Sequence, residues 1–195
     1  MPWPELYVLR HGQTIWNADG RHQGRKDSAL TELGRQQAAA QGRILQRMGL
    51  ADGQVDCFAS PIGRAWSTAE TALSAIGRKP VADERLVEVS FGAWEGLTRA
   101  EVDARWPENG IETDPFAWHF TSIDGERFED LCERARQFLE SLRRPSILVT
   151  HGITSRVLRG LWLGLDQAGM SALPGGQGVV YHLKDGQHSC LEDKM

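Results

Sequence analysis

Two short apolar segments, far apart in the chain, each end in a histidine followed by a glycine. Leu6–Leu9 runs into Arg10-His11-Gly12, and Ile147–Thr150 runs into His151-Gly152. A short apolar run of this kind is typical of a buried strand in a parallel sheet. Open α/β sheets bind their ligands at the carboxyl ends of such strands. We therefore expect both histidines at one edge of one sheet, where together they form a site.

The rest of the chain alternates strand-like and helix-like segments. Apolar runs predict further strands at residues 55–59 and 179–183, and a looser β-type run covers 81–89. Helices are predicted at residues 32–48, 61–76, 98–106, 126–142 and 153–163. Because strands and helices alternate without repeats or low-complexity linkers, we expect a single α/β domain over residues 1–195 with a parallel core sheet.

Local signals place the ends of three of these helices. Thr31 is the predicted N-cap of the 32–48 helix, and Gly49 ends it. Ser60-Pro61 opens the next helix, with the proline at the first position, where its missing N–H costs nothing. The 126–142 segment is amphipathic, and its apolar positions are Phe128, Leu131, Ala135, Phe138 and Leu142.

Composition limits the partners. The formal net charge of −4 leaves no global basic field for nucleic acid or an anionic membrane surface, so a bound anion needs a local cluster of cations. No run of about 18 apolar residues occurs, and Met1–Glu5 lacks the features of a signal peptide. The three cysteines are widely spaced, without a CxxC pair, which is typical of reduced thiols. We expect a cytoplasmic protein.

The two histidines allow several interpretations. They can be ordinary buried side chains or zinc ligands, although neither has a Cys, His or Asp at ligand spacing nearby. Arg10 suggests a third interpretation, a phosphate-binding site. An arginine beside His11 disfavours the protonated imidazolium form and favours a bound phosphate. A neutral imidazole that faces a phosphate held by cations is a nucleophile.

Two other charged residues, Arg64 and Glu88, are candidate site residues, and each also has a non-functional interpretation. Arg64 falls in the first turns of a helix that follows a strand, where it can grip an anion, or it is a solvated surface arginine. Glu88 lies among apolar neighbours. Burial there would favour its protonated form and suit a general acid, whereas an exposed strand carboxylate is the alternative.

Taken together, four blocks of the chain resemble the histidine phosphatase superfamily, the phosphoglycerate-mutase-like proteins. The blocks are Arg10-His11-Gly12 with Asn17, the stretch Ser60 to Ala69 with Arg64, Glu88 ahead of residues 91–96, and Thr150-His151-Gly152. They cover nearly the whole chain in the family's order. The resemblance implies a three-layer α/β/α fold with a mostly parallel sheet, and residues 92–125 as a short insertion over the active site.

The resemblance also implies roles. His11 matches the nucleophile of a phosphohistidine mechanism, Glu88 the proton donor, and Arg10, Arg64 and His151 the groups that bind the transferring phosphoryl. Asn17 and Gly152 match phosphate contacts. Gln23 and Gly24, followed by Asp27, resemble the loop that continues the pocket wall. The family implies no metal and no cofactor, so the expected partner is a small phosphorylated substrate, with a homodimer possible.

Phosphatase activity is the favoured prediction within the family. Mutases carry a longer insertion with an arginine pair, whereas residues 92–125 here offer only Arg99 and Arg105, which are not adjacent. Mutase-type phosphoryl transfer is the alternative. A remote alternative is a protein that binds a phosphorylated ligand without catalysis. Family members that have lost activity normally have a changed nucleophile, arginine or second histidine, and all of these residues are present here.

The insertion and the remaining histidines are less informative. The insertion is aromatic, and its rings either form a local core or line a pocket for the organic part of a phosphomonoester. Those residues are Trp94, Trp106, Phe116, Trp118, His119 and Phe120. Related phosphatases commonly have Gly-Glu-Ser where this chain has Gly125-Glu126-Arg127. Arg127 can therefore add a positive charge near the rim of the pocket. Motifs do not cover His22, His119, His182 and His188, for which we expect loop or surface positions.

Overall fold

Six strands form one mixed sheet in the part of the chain that our computed structural model describes, residues 3–50, 55–108 and 114–193. The strands are β1 (Leu6–Arg10), β2 (Asp56–Ala59), β3 (Val81–Ala82), β4 (Ser146–Thr150), β5 (Val180–Lys184) and β6 (Gln187–Leu191). Their order across the sheet is β3-β2-β4-β1-β5-β6. Neighbours from β3 to β1 pair in parallel, whereas β5 is antiparallel to both β1 and β6.

Helices connect the strands and cover the sheet. The α-helices are α1 (Ile15–Ala18), α2 (Glu32–Arg47), α3 (Gly63–Ser74), α4 (Arg99–Arg105), α5 (Pro115–Trp118), α6 (Phe128–Ser141), α7 (Gly152–Leu163) and α8 (Gln167–Ala172). Short 3₁₀ turns occupy Glu84–Leu86, Gly92–Trp94 and His119–Thr121. No helix among the described residues combines the length and the apolar character needed to cross a bilayer.

The central strands β1 and β4 are buried on both faces of the sheet. In β1, Leu6 and Val8 pack with α6 and α7, whereas Tyr7 and Leu9 pack with α2 and α3. Two hydrophobic cores therefore lie on opposite sides of one sheet. The predicted three-layer α/β/α fold with a mostly parallel sheet is confirmed.

Two predicted helices agree closely with the structure. Thr31 caps α2 through a hydrogen bond from the Gly34 N–H to its hydroxyl at 3.0 Å. The amphipathic stripe of α6 is also present: Leu131, Ala135, Phe138 and Leu142 are buried, and Phe128 packs against them half-buried.

The helix predicted to open at Ser60-Pro61 begins later, at Gly63. Ile62 is its N-cap and has extended backbone angles. Ser60 lies before the helix and does not cap it. Its hydroxyl accepts the Ile62 N–H at 3.3 Å and lies 2.8 Å from Nε2 of His151. The helix ends at Ser74 rather than at residue 76.

The predicted β-type run at 81–89 is mostly not a strand. Only Val81 and Ala82 pair with β2. The carboxylate of Asp83 then accepts the Arg85 N–H at 2.9 Å and starts a 3₁₀ turn. The hydroxyl of Thr150 donates to the Leu86 carbonyl at 2.6 Å and fixes this turn beside β4, which brings Glu88 toward the carboxyl edge of the sheet.

Among the described residues, four elements were not predicted: α1, α5, α8 and β6. The last of these forms a hairpin with β5 through Asp185-Gly186, both in the left-handed region with φ of 50° and 77°. An Asp-Gly pair between two extended segments is a hairpin signal, but the polar sequence Gln187–Leu191 hides the second strand.

Candidate active site

The carboxyl ends of β2, β4 and β1 lie side by side, and each is followed by a residue of the predicted site. The His11 N–H donates to the Thr150 carbonyl at 3.0 Å, and the Ser60 N–H donates to the Val149 carbonyl at 2.9 Å. Since β4 lies between the other two strands, His151 follows the central strand, with His11 on one side and Ser60 on the other.

A cavity of about 230 Å³ opens at this edge of the sheet. Eight of the nine predicted site residues line it: Arg10, His11, Asn17, Gln23, Gly24, Arg64, Glu88 and Gly152. The ninth, His151, lies against His11, with ring centroids 5.2 Å apart. Four arginines and one carboxylate, that of Glu88, are among the described residues that line the cavity, so it favours anions.

The hydrogen bonds of His11 define its tautomer. Nδ1 lies 2.8 Å from the Gly12 carbonyl oxygen, which can only accept, so Nδ1 carries the proton. Nε2 lies 3.2 Å from Nε of Arg64, which can only donate, so Nε2 offers its lone pair. Burial, and then the charges of Arg64 and Arg10, lower the pKa of His11 well below its usual value. The imidazole is therefore neutral at pH 7.

Arg64 is buried, and most of its donors are already used. Its Nη2 donates to the Gly24 carbonyl at 2.7 Å, and Nη1 donates to the Lys26 carbonyl. Asp27 accepts from both Nη1 and the backbone N–H of Arg64, at 3.3 and 3.2 Å. The loop that was predicted to continue the pocket wall thus holds this guanidinium in place against the nucleophile.

Arg10 lies on the other side of the cavity. Its Nη1 donates to the Gly175 carbonyl at 2.6 Å, whereas its buried Nε has no hydrogen-bond partner among the described residues. Gly152 makes this position possible, because a Cβ at residue 152 would lie 3.2 Å from Cζ of Arg10. The glycine after the second histidine therefore makes room for the arginine before the first.

His151 is fully buried. Its Nε2 lies 2.8 Å from the Ser60 hydroxyl, and its Nδ1 has no partner in the described part of the chain. Burial lowers the pKa of this imidazole well below its usual value, as do the nearby charges of Arg64 and Arg10. A buried, neutral ring with one free nitrogen is suited to bind a ligand atom through that nitrogen.

Glu88 is buried at the N-terminus of α7. Its Oε1 accepts the backbone N–H groups of Val89 and Thr154, at 3.1 and 3.0 Å, and lies 3.0 Å from the Thr154 hydroxyl. Its Oε2 accepts one hydrogen bond, from the Ile153 N–H at 3.2 Å. Oε2 therefore keeps the capacity to carry a proton.

The predicted supporting residues line the cavity but are partly engaged with the protein. Oδ1 of Asn17 accepts the Thr14 N–H and a hydrogen from Gln177, both at 3.2 Å. The Gln23 side chain accepts the Ser28 hydroxyl at 3.1 Å. Gly24 has φ of 54°, and a Cβ there would overlap the Glu95 carboxylate, so this position requires glycine.

Sequence reasoning missed seven further residues of the cavity wall. They are Arg21, His22, Phe91, His119, Ile153, Arg156 and Gly175. Arg156 had a usable signal, because it lies one helical turn after Gly152 and therefore on the same face of α7. For His119 the sequence left two alternatives open, a local core or a pocket wall, since its position depends on how the insertion folds back.

The aromatic insertion is mainly a local core. Trp94 and Trp118 stack with centroids 4.3 Å apart and are buried, as is Phe116. His119 is the one of the six predicted aromatic residues that lines the cavity. Residues 109–113 of the insertion lie outside the described residues.

Two other expectations about polar residues need correction. His182 and His188 lie in β5 and β6, and His119 in a 3₁₀ turn, rather than in loops; His22 lies in a loop as expected, and both His22 and His119 line the cavity. The exposed Arg127 lies 3.9 Å from Glu129 and is not among the residues of the cavity wall. Among the described residues, no three His, Cys, Asp or Glu side chains are grouped to hold a metal ion.

The geometry can now be compared with known proteins. The sequence profile of the histidine phosphatase superfamily (branch 1) matches residues 6–191, a span that includes all nine predicted site residues. The chain belongs to this superfamily. The predicted family is thereby confirmed.

Individual members of the superfamily are similar over most of this chain. The Bifunctional protein Rv2228c of Mycobacterium tuberculosis is 36% identical over 187 residues, which are 91% of this chain but 46% of that protein. The chain thus spans about half the length of that relative. The Probable phosphoglycerate mutase GpmB of Erwinia tasmaniensis is 33% identical over 176 residues, covering 83% of this chain and 75% of the relative.

A solved structure extends the likeness to the whole fold. The mycobacterial glucosyl-3-phosphoglycerate phosphatase Rv2419c, whose structure was determined in complex with VO3, superposes with a TM-score of 0.78 at 30% identity. The match covers 98% of each chain. This histidine phosphatase superfamily member is therefore similar in overall fold to a known phosphatase.

Proposed function

We propose that this protein is a phosphomonoesterase that acts on a small phosphorylated metabolite through a phosphohistidine intermediate, without a metal ion. The observation that carries the proposal is the His11 imidazole, neutral and with its Nε2 lone pair directed to Arg64 in a cavity lined by arginines. Phosphoryl transfer needs an in-line nucleophile and charge on the equatorial oxygens, and little else.

The first half-reaction uses five side chains. A phosphoryl oxygen replaces His11 Nε2 as acceptor of the Arg64 Nε–H, and the free Nε of Arg10 donates to another. The released lone pair of Nε2 forms the N–P bond while the ester P–O bond breaks. The electron pair of that bond stays on the leaving oxygen, which takes a proton from Oε2 of Glu88. His151 stabilises the transferring group through its free Nδ1.

The second half-reaction restores the enzyme. Glu88, now a carboxylate, removes a proton from a water molecule that attacks the phosphorus atom. The N–P bond breaks, its electron pair returns to Nε2 of His11, and inorganic phosphate leaves. Glu88 thus regains from the water the proton that it gave to the leaving alcohol. The VO3 bound to the mycobacterial phosphatase supports the proposal, since that oxyanion resembles phosphate.

Mutase-type transfer is the second candidate, and the likeness to the GpmB protein favours it. The insertion argues against it. Arg99 lies over the Trp118 ring, with Cζ 3.9 Å from the centroid, and pairs with Asp103 at 2.8 Å. It is not among the residues of the cavity wall. The two activities can be told apart with a phosphoester that also carries a free hydroxyl group. Hydrolysis of this substrate yields inorganic phosphate, whereas a mutase moves the phosphoryl group to the free hydroxyl and yields the isomeric ester.

The test uses p-nitrophenyl phosphate in excess chelator, with wild type and His11→Ala. We expect turnover by the wild type and a loss of at least about 10³-fold in the variant, because the pocket has no substitute nucleophile. Rapid quenching with a labelled substrate should trap one acid-labile, base-stable phosphoryl group. Label on serine or cysteine would disprove the phosphohistidine, and no turnover at all would indicate a phospho-ligand binder.

A further inference from the structure

A short loop before β5, residues 174–177, is tied to three residues of the site. The Gly175 carbonyl accepts the Arg10 Nη1 hydrogen at 2.6 Å. The Gln177 side chain donates to the His11 carbonyl at 2.9 Å and to Oδ1 of Asn17 at 3.2 Å. Any movement of this loop therefore moves a phosphate-binding arginine and the backbone of the nucleophile.

Two buried side chains hold the 174–177 loop from behind. Nη2 of Arg159 donates to the Pro174 carbonyl at 2.6 Å, and the Gly176 N–H donates to the Tyr181 hydroxyl at 2.6 Å. The Arg159 guanidinium lies over the Tyr181 ring, with Cζ 3.8 Å from the centroid. Loop, arginine and tyrosine thus form one connected group.

Arg159 is fully buried, yet no carboxylate of the described residues forms an ion pair with it. Its remaining hydrogen bonds go to neutral groups, the carbonyl and hydroxyl of Ser155 and Nε2 of His188. Burial lowers the pKa of this arginine to about 10. A buried charge without a counter-ion is costly, and an apolar side chain of similar volume is often at least as stable. Stability of the fold is therefore a poor reason for an arginine here.

We propose that Arg159 is a positioning residue, which holds the 174–177 loop so that Arg10 is placed for the phosphoryl group. It touches neither the cavity nor the reacting atoms and acts through Pro174 and Gly175. The proposal rests on the proposed function for its ligand, a phosphoryl group. Arg159 lies eight positions after His151 and is not part of the phosphate-binding motifs.

The first experiment measures orthovanadate binding by calorimetry, which needs no turnover. Arg159→Met should bind vanadate at least about 10-fold more weakly than wild type, because misplacement of a binding group by about 1 Å can cost up to 10² in rate or affinity. The control Arg78→Met removes a hydrogen bond to Val55, outside the cavity wall, and should stay within about 2-fold.

A double-mutant cycle with Arg10→Ala tests the route. If Arg159 acts through Arg10, Arg159→Met should lower kcat/KM for p-nitrophenyl phosphate about 10-fold in the wild-type background but less than about 3-fold once Arg10 is gone. Equal losses in both backgrounds would overturn the proposal. If the wild type does not turn over the ester, the proposed function fails, and the vanadate titration still decides this inference.

Folding is checked by circular dichroism and thermal unfolding for every variant. If Arg159→Met does not fold, Tyr181→Phe takes its place, since it removes only the hydroxyl that accepts the Gly176 N–H. That variant should weaken vanadate binding about 3- to 10-fold, again only when Arg10 is present. Unchanged vanadate affinity in folded Arg159→Met, or in Tyr181→Phe where the first variant is unfolded, disproves the positioning role.

Discussion

Nε of Arg64 and Nε2 of His11 share one hydrogen bond, 3.2 Å long. The bond couples an obligate donor to the lone pair that we assign as nucleophile. Burial is the main reason that the pKa of His11 is lowered, and this contact adds to it, because an added proton on Nε2 would face the guanidinium directly. Since carbonyl oxygens of Gly24 and Lys26 hold the other end of Arg64, substrate binding can exchange this bond without moving the arginine.

Arg64→Lys should lower kcat/KM for p-nitrophenyl phosphate by about 10²-fold or more. Lysine keeps the charge but lacks the planar fork that binds carbonyls on one side and His11 on the other. The exposed Arg35, which pairs with Glu32, offers a matched control, and Arg35→Lys should be neutral. Near-normal activity of Arg64→Lys would show that the charge alone suffices.

Thr68→Val should destabilise the protein by about 1–3 kcal/mol and lower its activity. The Thr68 hydroxyl donates to the Arg64 carbonyl at 2.7 Å and accepts the Gly12 N–H at 3.1 Å, so it joins α3 to the chain after the nucleophile. Valine has the same shape but leaves the buried Gly12 N–H without an acceptor. Urea unfolding and kcat/KM measure the two effects.

The same helix contains a matched control for that substitution. Thr71 also donates to the carbonyl four residues earlier, that of Ser67, but is exposed and binds nothing outside α3. Thr71→Val should change the free energy of unfolding by less than about 0.5 kcal/mol. If the two variants lose similar stability, the Thr68 hydroxyl does not connect the two segments as we argue.

The sequence predicted the centre of the molecule better than its margins. Apolar runs defined β1, β2 and β4 because these strands are buried on both faces, and the same runs ended at the site residues. Helix α6 was predicted from its apolar stripe, and α2 from the capping signals at Thr31 and Gly49. The candidate nucleophile and the two arginines near it follow from short local patterns, such as Arg10-His11-Gly12.

What the sequence did not reveal depends on tertiary contacts. β6 has few apolar residues and is a strand only because β5 pairs with it. Glu88 was predicted on a strand, but the Thr150–Leu86 hydrogen bond and a 3₁₀ turn bring it to the start of α7. The 174–177 loop contacts Arg10, Arg159 and Tyr181 through two backbone carbonyls and an N–H group, which have no signature in a sequence.

Stability should fall between pH 7 and pH 5 because several histidines are buried in their neutral form. Burial, with the nearby His119, lowers the pKa of His22 to about 4, while the unfolded chain titrates near 6.5. Below pH 6.5 the unfolded state therefore binds protons that the folded state does not, and the loss continues down to the folded pKa. At pH 5 this amounts to about 2 kcal/mol for His22.

His22→Leu tests the contribution of His22 to this loss of stability. The free energy of unfolding is measured in urea at pH 7 and at pH 5 for the variant and the wild type. The variant should lose about 2 kcal/mol less than wild type over this interval, whatever its stability at pH 7. Carboxyl groups with a lowered pKa, such as Asp193 beside Arg43 and Arg47, lose their contribution only at more acidic pH and do not interfere. An equal pH dependence in both proteins would mean that His22 is protonated in the fold.

Two carboxylates near the site can be separated by their contacts. Glu88 lines the cavity and has an oxygen with a single hydrogen bond. Glu95 instead uses Oε1 to accept the N–H groups of Arg25 and Phe91, at 2.9 and 3.1 Å, and is not among the residues of the cavity wall. Glu88 can therefore exchange a proton with a ligand, and Glu95 fixes the loops around it.

Glu88→Gln should slow an alkyl phosphate by about 10²–10⁴-fold, because an alkoxide leaves poorly without a proton donor. The pre-steady-state burst with p-nitrophenyl phosphate should slow much less, since that phenolate leaves unaided. The burst isolates phosphorylation of His11 from the later hydrolysis, which also needs Glu88 as a base. Glu95→Gln, the control, should affect both substrates by the same factor. If Glu88→Gln also slows both bursts equally, Glu88 orients the phosphate or supports α7, and another group protonates the leaving oxygen.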